Sequence, residues 1–358
     1  MLAYLEFIPL LTAFVVALLL LLVMTPVAHQ LGLVDQPNYR KQHEGIVPLT
    51  GGFAIFVAVV AASFVTDVWL DNYPLFFTAS AFIVLLGMLD DRFQLSAKGR
   101  LICQFGVSAI MAWSAQNYIT HVGNLFGFGD ANMGAFGYLF TLICVVGVIN
   151  AFNMIDGIDG LAGGMSLMIL SALVVLLVLS GNGGAIMAPM IIIAALVPFL
   201  AFNLSIKGFK GNKIFMGDSG SMFIGLTIVW LLVEFTQGER SAMRPITAVW
   251  LIGLPLMDMA AIMFRRARKG QSMLQPDRQH LHNIFMRAGC SSTQALIAII
   301  LLGSCYALIG ILGEAFNVPE YIMFYGFLAL LVVYSWVLTH IWIILRTLKR
   351  VKRRFITA

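Results

Sequence analysis

Eleven apolar stretches follow one another along the chain, at 3–25, 50–66, 74–89, 101–117, 136–150, 165–180, 185–204, 221–236, 246–264, 294–312 and 321–345. The breaks between them are short and polar or rich in Gly and Pro. With 60% hydrophobic and only 11% charged residues, no water-soluble packing hides this much apolar surface, since soluble domains carry about 25% charge. A cytosolic enzyme, a disordered chain and a secreted disulfide scaffold are excluded. The expectation is an all-α polytopic integral membrane protein with about eleven transmembrane helices. Several stretches fall short of the roughly 20 residues that a hydrocarbon core demands, so their ends are approximate. The opening MLAYLEFIPLL has no basic leader and reads as the first span.

Charge placement orients the spans, because loops on the cytoplasmic side collect Lys and Arg. With the N-terminus outside and the C-terminus inside, all of the 22 basic residues except Arg240 and Arg244 fall in cytoplasmic loops or the tail. The formal charge of +5 is modest. The terminal KRVKRR run suits a topology anchor or anionic lipid better than nucleic acid. Cys103, Cys144, Cys290 and Cys305 show no paired spacing and read as small apolar residues. No repeat or linker divides the chain, so residues 1–358 form a single membrane-embedded domain.

The same orientation gathers the acids on the cytoplasmic side. Asp90 and Asp91 end the third span, where negative charge opposes the helix dipole and two adjacent carboxylates repel, which raises a pKa or recruits a cation. In NAFNMIDGIDGLAGG, Asn150, Asn153, Asp156 and Asp159 recur every three residues, on nearly one helical face. Their oxygens suit a hard cation such as Mg²⁺ and the phosphates it carries. Asp218, in KGNKIFMGDSGS, lies where the eighth span starts, among small residues whose free backbone N–H groups favour an anion. Lys207, Lys210 and Lys213 precede it. In QPDRQHLHN, Arg278, His280 and His282 suit a diphosphate or sugar, since a His-x-His pair without further ligands is weak evidence for zinc. Gly51 and Gly52 open the second span and admit a ligand close to backbone, and Arg100 follows Asp90 across a short loop. Asp258 lies inside a span, about 10 Å of helix before Arg265. An intramembrane acid points to function, while a structural partner for an Arg or amide stays open.

In this order DD, NxxNxxDGxDGLA, FMGDSGS, PLMD and DRQHLHN resemble the polyprenyl-phosphate N-acetylhexosamine-1-phosphate transferases, from about residue 33 to the basic tail. DRQHLHNIFMRAG and PLMDM–RRxRKG resemble most the branch that uses UDP-GlcNAc and undecaprenyl phosphate. The resemblance implies a Mg²⁺-dependent enzyme, with Mn²⁺ as an alternative, in the bacterial inner membrane. It would transfer GlcNAc-1-phosphate from UDP-GlcNAc to undecaprenyl phosphate, releasing UMP and starting a lipid-linked surface polysaccharide such as O-antigen. Asp218 and Asn153 are then the implied metal ligands and Asp90 the proton acceptor, with Asp91 supporting charge placement. Asp156 and Asp159 hold the nucleotide and metal site. Gly51, Gly52, Arg100, Asn150, Arg278, His280 and His282 would bind substrate. Related muramoyl-pentapeptide transferases carry a His triplet after Pro where this chain has DRQHLHN, which counts against a peptidoglycan donor.

Another UDP-N-acetylhexosamine remains an alternative donor. A secondary transporter fits less well, because its ionisable residues belong near the midplane, often within inverted repeats. A CDP-alcohol phosphotransferase needs an Arg and later acids that DGIDGLAGG lacks. A direct displacement, a covalent Asp90 intermediate and a homodimer are all left open.

Overall fold

The computed structural model describes residues 2–36, 45–66, 72–206, 208–209, 211–238, 240–272 and 280–356. The helices are α1 Leu2–Leu31, α2 Gly51–Ser63, α3 Tyr73–Phe93, α4 Ala97–Ala109, α5 Phe136–Ile155, α6 Leu161–Leu179 and α7 Met187–Asn203. They continue with α8 Gly217–Glu234, α9 Pro245–Leu251, α10 Gly253–Arg268, α11 Leu281–Arg287, α12 Ser292–Ala315 and α13 Glu320–Ile356. A π-helical turn, Ile110–Ser114, extends α4. The described strands are two antiparallel two-residue pieces, β1 Val34–Asp35 and β2 Val47–Pro48. The chain is therefore a multi-pass, all-α membrane protein.

Every apolar stretch of the sequence lies largely in helix, but not every helix is long enough to cross. Among the described residues eight helices have the length and hydropathy of a span, or nine if α9 and α10, bent by 77°, count as one. The shortfall from eleven lies in α2 and α4. Each has 13 α-helical residues, about 20 Å of rise against a core of roughly 30 Å.

Helix α8 is the central post. Its span is 83% buried, against 17% for α13, although its mean hydropathy of 1.2 is the lowest of the eight. A helix buried all round must be contacted by small residues if backbones are to approach. A Cβ on Gly87 of α3 would stand 2.2 Å from Ser219 Cα, and one on Gly52 of α2 would stand 2.2 Å from Gly220 Cα. On the α5 side, a Cβ on Gly225 would stand 2.8 Å from Ile149 Cα. These contacts set α2, α3 and α5 against α8.

At the other end of α8, the Gln237 side chain receives the Thr120 and His121 amides at 3.0 and 3.2 Å. Arg244 bonds Glu314 at 3.2 Å and two backbone carbonyls at 2.7 Å, those of Val318 and Gly313. Both basic residues outside the main charge pattern thus have structural partners, Arg240 standing 4.0 Å from Glu234.

Gly87→Val should lower the melting temperature in detergent by several degrees, since overpacking costs about 1–3 kcal/mol. Gly106→Ala, on α4 with nothing within 4 Å of the added Cβ, should not lower it. Equal melting temperatures for the two variants would contradict the close-packed contact.

Candidate active site

The C-terminal ends of α3 and α5 and the N-terminal ends of α2, α4 and α8 converge at one end of the bundle, with α11 laid against the loop that follows α5. Asp91 joins α3 to α8. Its Oδ1 accepts the Asp218 amide at 2.9 Å and its Oδ2 the Ser219 amide at 3.3 Å. A carboxylate at the end of α3 is unfavourable for that helix's own dipole, but here it sits on the positive end of α8. The amides expected to be free for an anion are therefore occupied, which corrects the sequence reading of this turn. Gly217, with φ of 71°, has no room for a side chain: a Cβ would meet Asp91 Oδ2 at 2.6 Å.

Asp90 is buried. Its Oδ1 accepts the Leu95 amide at 2.8 Å and its Oδ2 the Arg100 guanidinium at 2.6 Å. The same Arg100 nitrogen stands 3.9 Å from Asp218 Oδ2, so one cation bridges the acid ending α3 and the acid starting α8. The Asn153 side-chain nitrogen donates to Asp218 Oδ1 at 2.6 Å and to Ser221 Oγ at 3.1 Å, leaving Oδ1 as the atom of Asn153 that could ligate. Asn150 instead turns to α4, donating to Gln104 Oε1 at 2.6 Å and to the Val146 carbonyl at 2.8 Å. Its amide group is committed to packing α5 on α4 rather than to the acids.

Beyond α5, Asp156 lies near Asp218 and Asp159, and desolvation by the surrounding protein together with those two carboxylates pushes its pKa up to about 7. Asp159 is paired with Lys213 at 2.7 Å. The loop is pinned by Asn203, which accepts the Gly160 amide at 2.6 Å and donates to the Ile214 carbonyl at 2.9 Å.

His282 covers this loop. A Cβ on Gly157 would overlap its ring at 2.2 Å. The rings of His280 and His282 lie parallel with centroids 5.7 Å apart. The Asn283 side-chain nitrogen donates to His282 Nε2 at 2.9 Å. Burial and the neighbouring His280 lower the His282 pKa to about 4, against the opposite pull of Asp258. Asp258 receives His280 Nδ1 at 3.0 Å.

The structure thus brings together Asp90, Asp91, Arg100, Asn153, Asp156, Asp159 and Asp218, with His280 and His282 beside them. Arg278, Lys207 and Lys210 lie outside the described residues. The glycine pair is a correction. Gly51 and Gly52 donate their amides to the Phe215 and Met216 carbonyls, and Phe199 and Gly220 fill the space beside them. They close the α2–α8 packing rather than leave room for a ligand. Sequence reasoning did not single out Gln104, Asn203 or Ser221, nor Tyr334, whose hydroxyl donates to Asp258 at 2.9 Å. For Gln104 and Asn203 the signal was a lone amide inside an apolar run; Ser221 closes the FMGDSGS motif, and Tyr334 carries none.

Residues 73–236, which run from α3 past the end of α8, match the family described as Glycosyl transferase family 4. The chain is 42% identical over 342 residues to the undecaprenyl-phosphate alpha-N-acetylglucosaminyl 1-phosphate transferase of Yersinia pestis, covering 95% of this chain and 93% of that one. It belongs to glycosyl transferase family 4. Proteins of the same name from Escherichia coli strain K12 and Haemophilus influenzae are each 41% identical, over 346 and 342 residues. The coverage is 96% of this chain and 94% of the first relative, and 95% and 96% for the second. The likeness therefore extends beyond the family match into α9–α13. Family membership makes the chain a transferase.

A His282 held neutral has a sign that can be tested. The unfolded chain takes up a proton near pH 6.5, while folded His282 resists it to about pH 4. Folding is unpenalised above pH 6.5 and is progressively destabilised as pH falls from 6.5 towards 4. His282→Gln should flatten the acid side of the melting-temperature profile across that window. An unchanged slope would contradict the buried neutral ring.

Proposed function

We propose that the chain transfers GlcNAc-1-phosphate from UDP-GlcNAc to undecaprenyl phosphate at the cytoplasmic face of a bacterial inner membrane. The products are undecaprenyl-diphosphate-GlcNAc and UMP, and the product begins a lipid-linked surface polysaccharide. The convergence of Asp90, Arg100 and Asp218 carries the reading, because it sets an acid, a phosphate-binding cation and a candidate metal ligand within one cluster. It is supported by the printed activity of relatives that match nearly the whole chain. The basic residues support an eleven-crossing chain with its N-terminus outside.

The donors of the cluster are hard oxygens, which fit Mg²⁺. Among the described residues no three His, Cys, Asp or Glu side chains form a closed metal cage, and an ion that keeps waters and substrate phosphates in its shell does not require one. Asp218 and Asn153 Oδ1 would hold it, and it would supply neutralisation of charge on the diphosphate. The rest is positioning by the chain itself. An oxygen of the lipid phosphate attacks the β-phosphorus, the bond from that phosphorus to the bridging oxygen breaks, and UMP leaves. Arg100, held by Asp90, draws the lipid phosphate to the end of α3. That phosphate is largely ionised near pH 7, so Asp90 serves mainly to place Arg100 and to accept a residual proton. Lys213, Asp156 and Asp159 face the nucleotide side. His280 and His282 contact the sugar diphosphate, with Arg278 in the same motif.

UDP-GlcNAc is proposed over the peptide-bearing UDP-MurNAc because DRQHLHN stands in place of the His triplet. In inverted membrane vesicles, externally added radiolabelled UDP-GlcNAc should yield a butanol-extractable lipid. Right-side-out vesicles should form none, and UDP-MurNAc-pentapeptide should form none in either. Equal turnover of the two donors, or product only in right-side-out vesicles, would overturn the donor or the orientation respectively.

A further inference from the structure

Asp258 is an acid singled out in the sequence that neither the proposed reaction nor the α3–α8 junction uses. It is buried in the middle of α10, where an unsupported carboxylate in a membrane protein is costly. Three donors from two elements, the start of α11 and α13, converge on it. His280 Nδ1 stands 3.0 Å from Oδ2, while Oδ1 accepts the Leu281 amide at 3.2 Å and the Tyr334 hydroxyl at 2.9 Å. Leu281 begins α11 and Tyr334 belongs to α13, the helix with the least buried span. A carboxylate has only acceptors to offer, so a ring nitrogen facing it carries a proton. Asp258 therefore fixes both the rotation of His280 and the position of its hydrogen on Nδ1, in the way that carboxylate partners orient functional imidazoles. Nε2 is left as the nitrogen turned away from Asp258. The adjacent ring, His282, lies against Gly157, between Asp156 and Asp159.

We infer that Asp258 and Tyr334 form a positioning pair for His280, locking its ring so that the Nε2 edge is offered to the sugar diphosphate. The inference rests on the transferase reading and adds to it a hydrogen-bonded chain from α13 through α10 to α11. A purely structural acid would need only burial and donors. A positioning acid must also set the state of the imidazole it holds.

The test uses full-length protein labelled with ring-¹⁵N histidine, in which six histidines report and the His280 signal is assigned by its loss in His280→Gln. Wild type should show His280 protonated at Nδ1. Asp258→Asn should change that signal and lower kcat with UDP-GlcNAc about 10- to 100-fold, the size of a charge-assisted hydrogen bond. The KM for lipid phosphate and the melting temperature should stay near wild type. Tyr334→Phe removes only a hydroxyl, and should lower kcat about 3- to 10-fold. It decides the matter if Asp258→Asn does not fold. A neutral His280 carrying its proton on Nε2 in wild type, or unchanged kcat in the folded variants, would overturn the inference. If wild type makes no lipid-linked GlcNAc, the transferase reading fails, while the His280 signal still decides whether Asp258 sets the ring.

Discussion

The bond from the Asp91 carboxylate to the first amides of α8 is the constraint on which the site depends. It ties the end of α3 to the start of the most buried helix, and the glycine contact of Gly87 with Ser219 brings the backbones close enough for it to form. Once that junction is fixed, neighbouring residues have little choice. Asp90 is turned to Arg100, and Asp218 is turned to Asn153 and towards the same guanidinium. The positive end of α8 stabilises Asp91 and so allows a second and third carboxylate nearby.

Charge then accumulates in a graded way. Asp90 and Asp159 have cationic partners, Arg100 and Lys213, whereas Asp156 has none beside Asp218 and Asp159 among the described residues, and desolvation with those carboxylates raises its pKa to about 7. The cluster is thus short of positive charge at its centre, between the ends of α5 and α8. The proposed reaction has use for such a place, since a cation and the phosphates it carries would supply what the protein leaves out. The His pair closes the opposite side with an uncharged ring at His282.

Much of this was legible in the sequence. The positions of the helices follow from apolar runs, and the grouping of the acids follows from helix ends that alternate across a membrane. The number of crossings was less secure, because α2 and α4 pack against other helices and need not be long enough to span alone. Three readings failed for one reason: a sequence names a residue but not the partner that reaches it from another helix. The α8 amides read as free until Asp91 of α3 is placed on them. Gly51 and Gly52 read as room for a ligand until α8 fills it. Asn150 read as part of the acid face until Gln104 takes its amide. Asp258 carried the right signal, a charge inside a span, but its partners lie 22 and 76 positions away.

The central claim is that the start of α8 holds the cation while the end of α3 receives the lipid phosphate. Its most direct test is transferase activity of Asp218→Asn and Asp90→Asn as a function of Mg²⁺ concentration. Asp218→Asn should lose most activity and move what remains to higher Mg²⁺, whereas Asp90→Asn should lower kcat with its Mg²⁺ midpoint unmoved. A midpoint that shifts in Asp90→Asn and stays in place in Asp218→Asn would contradict the account and exchange the two roles.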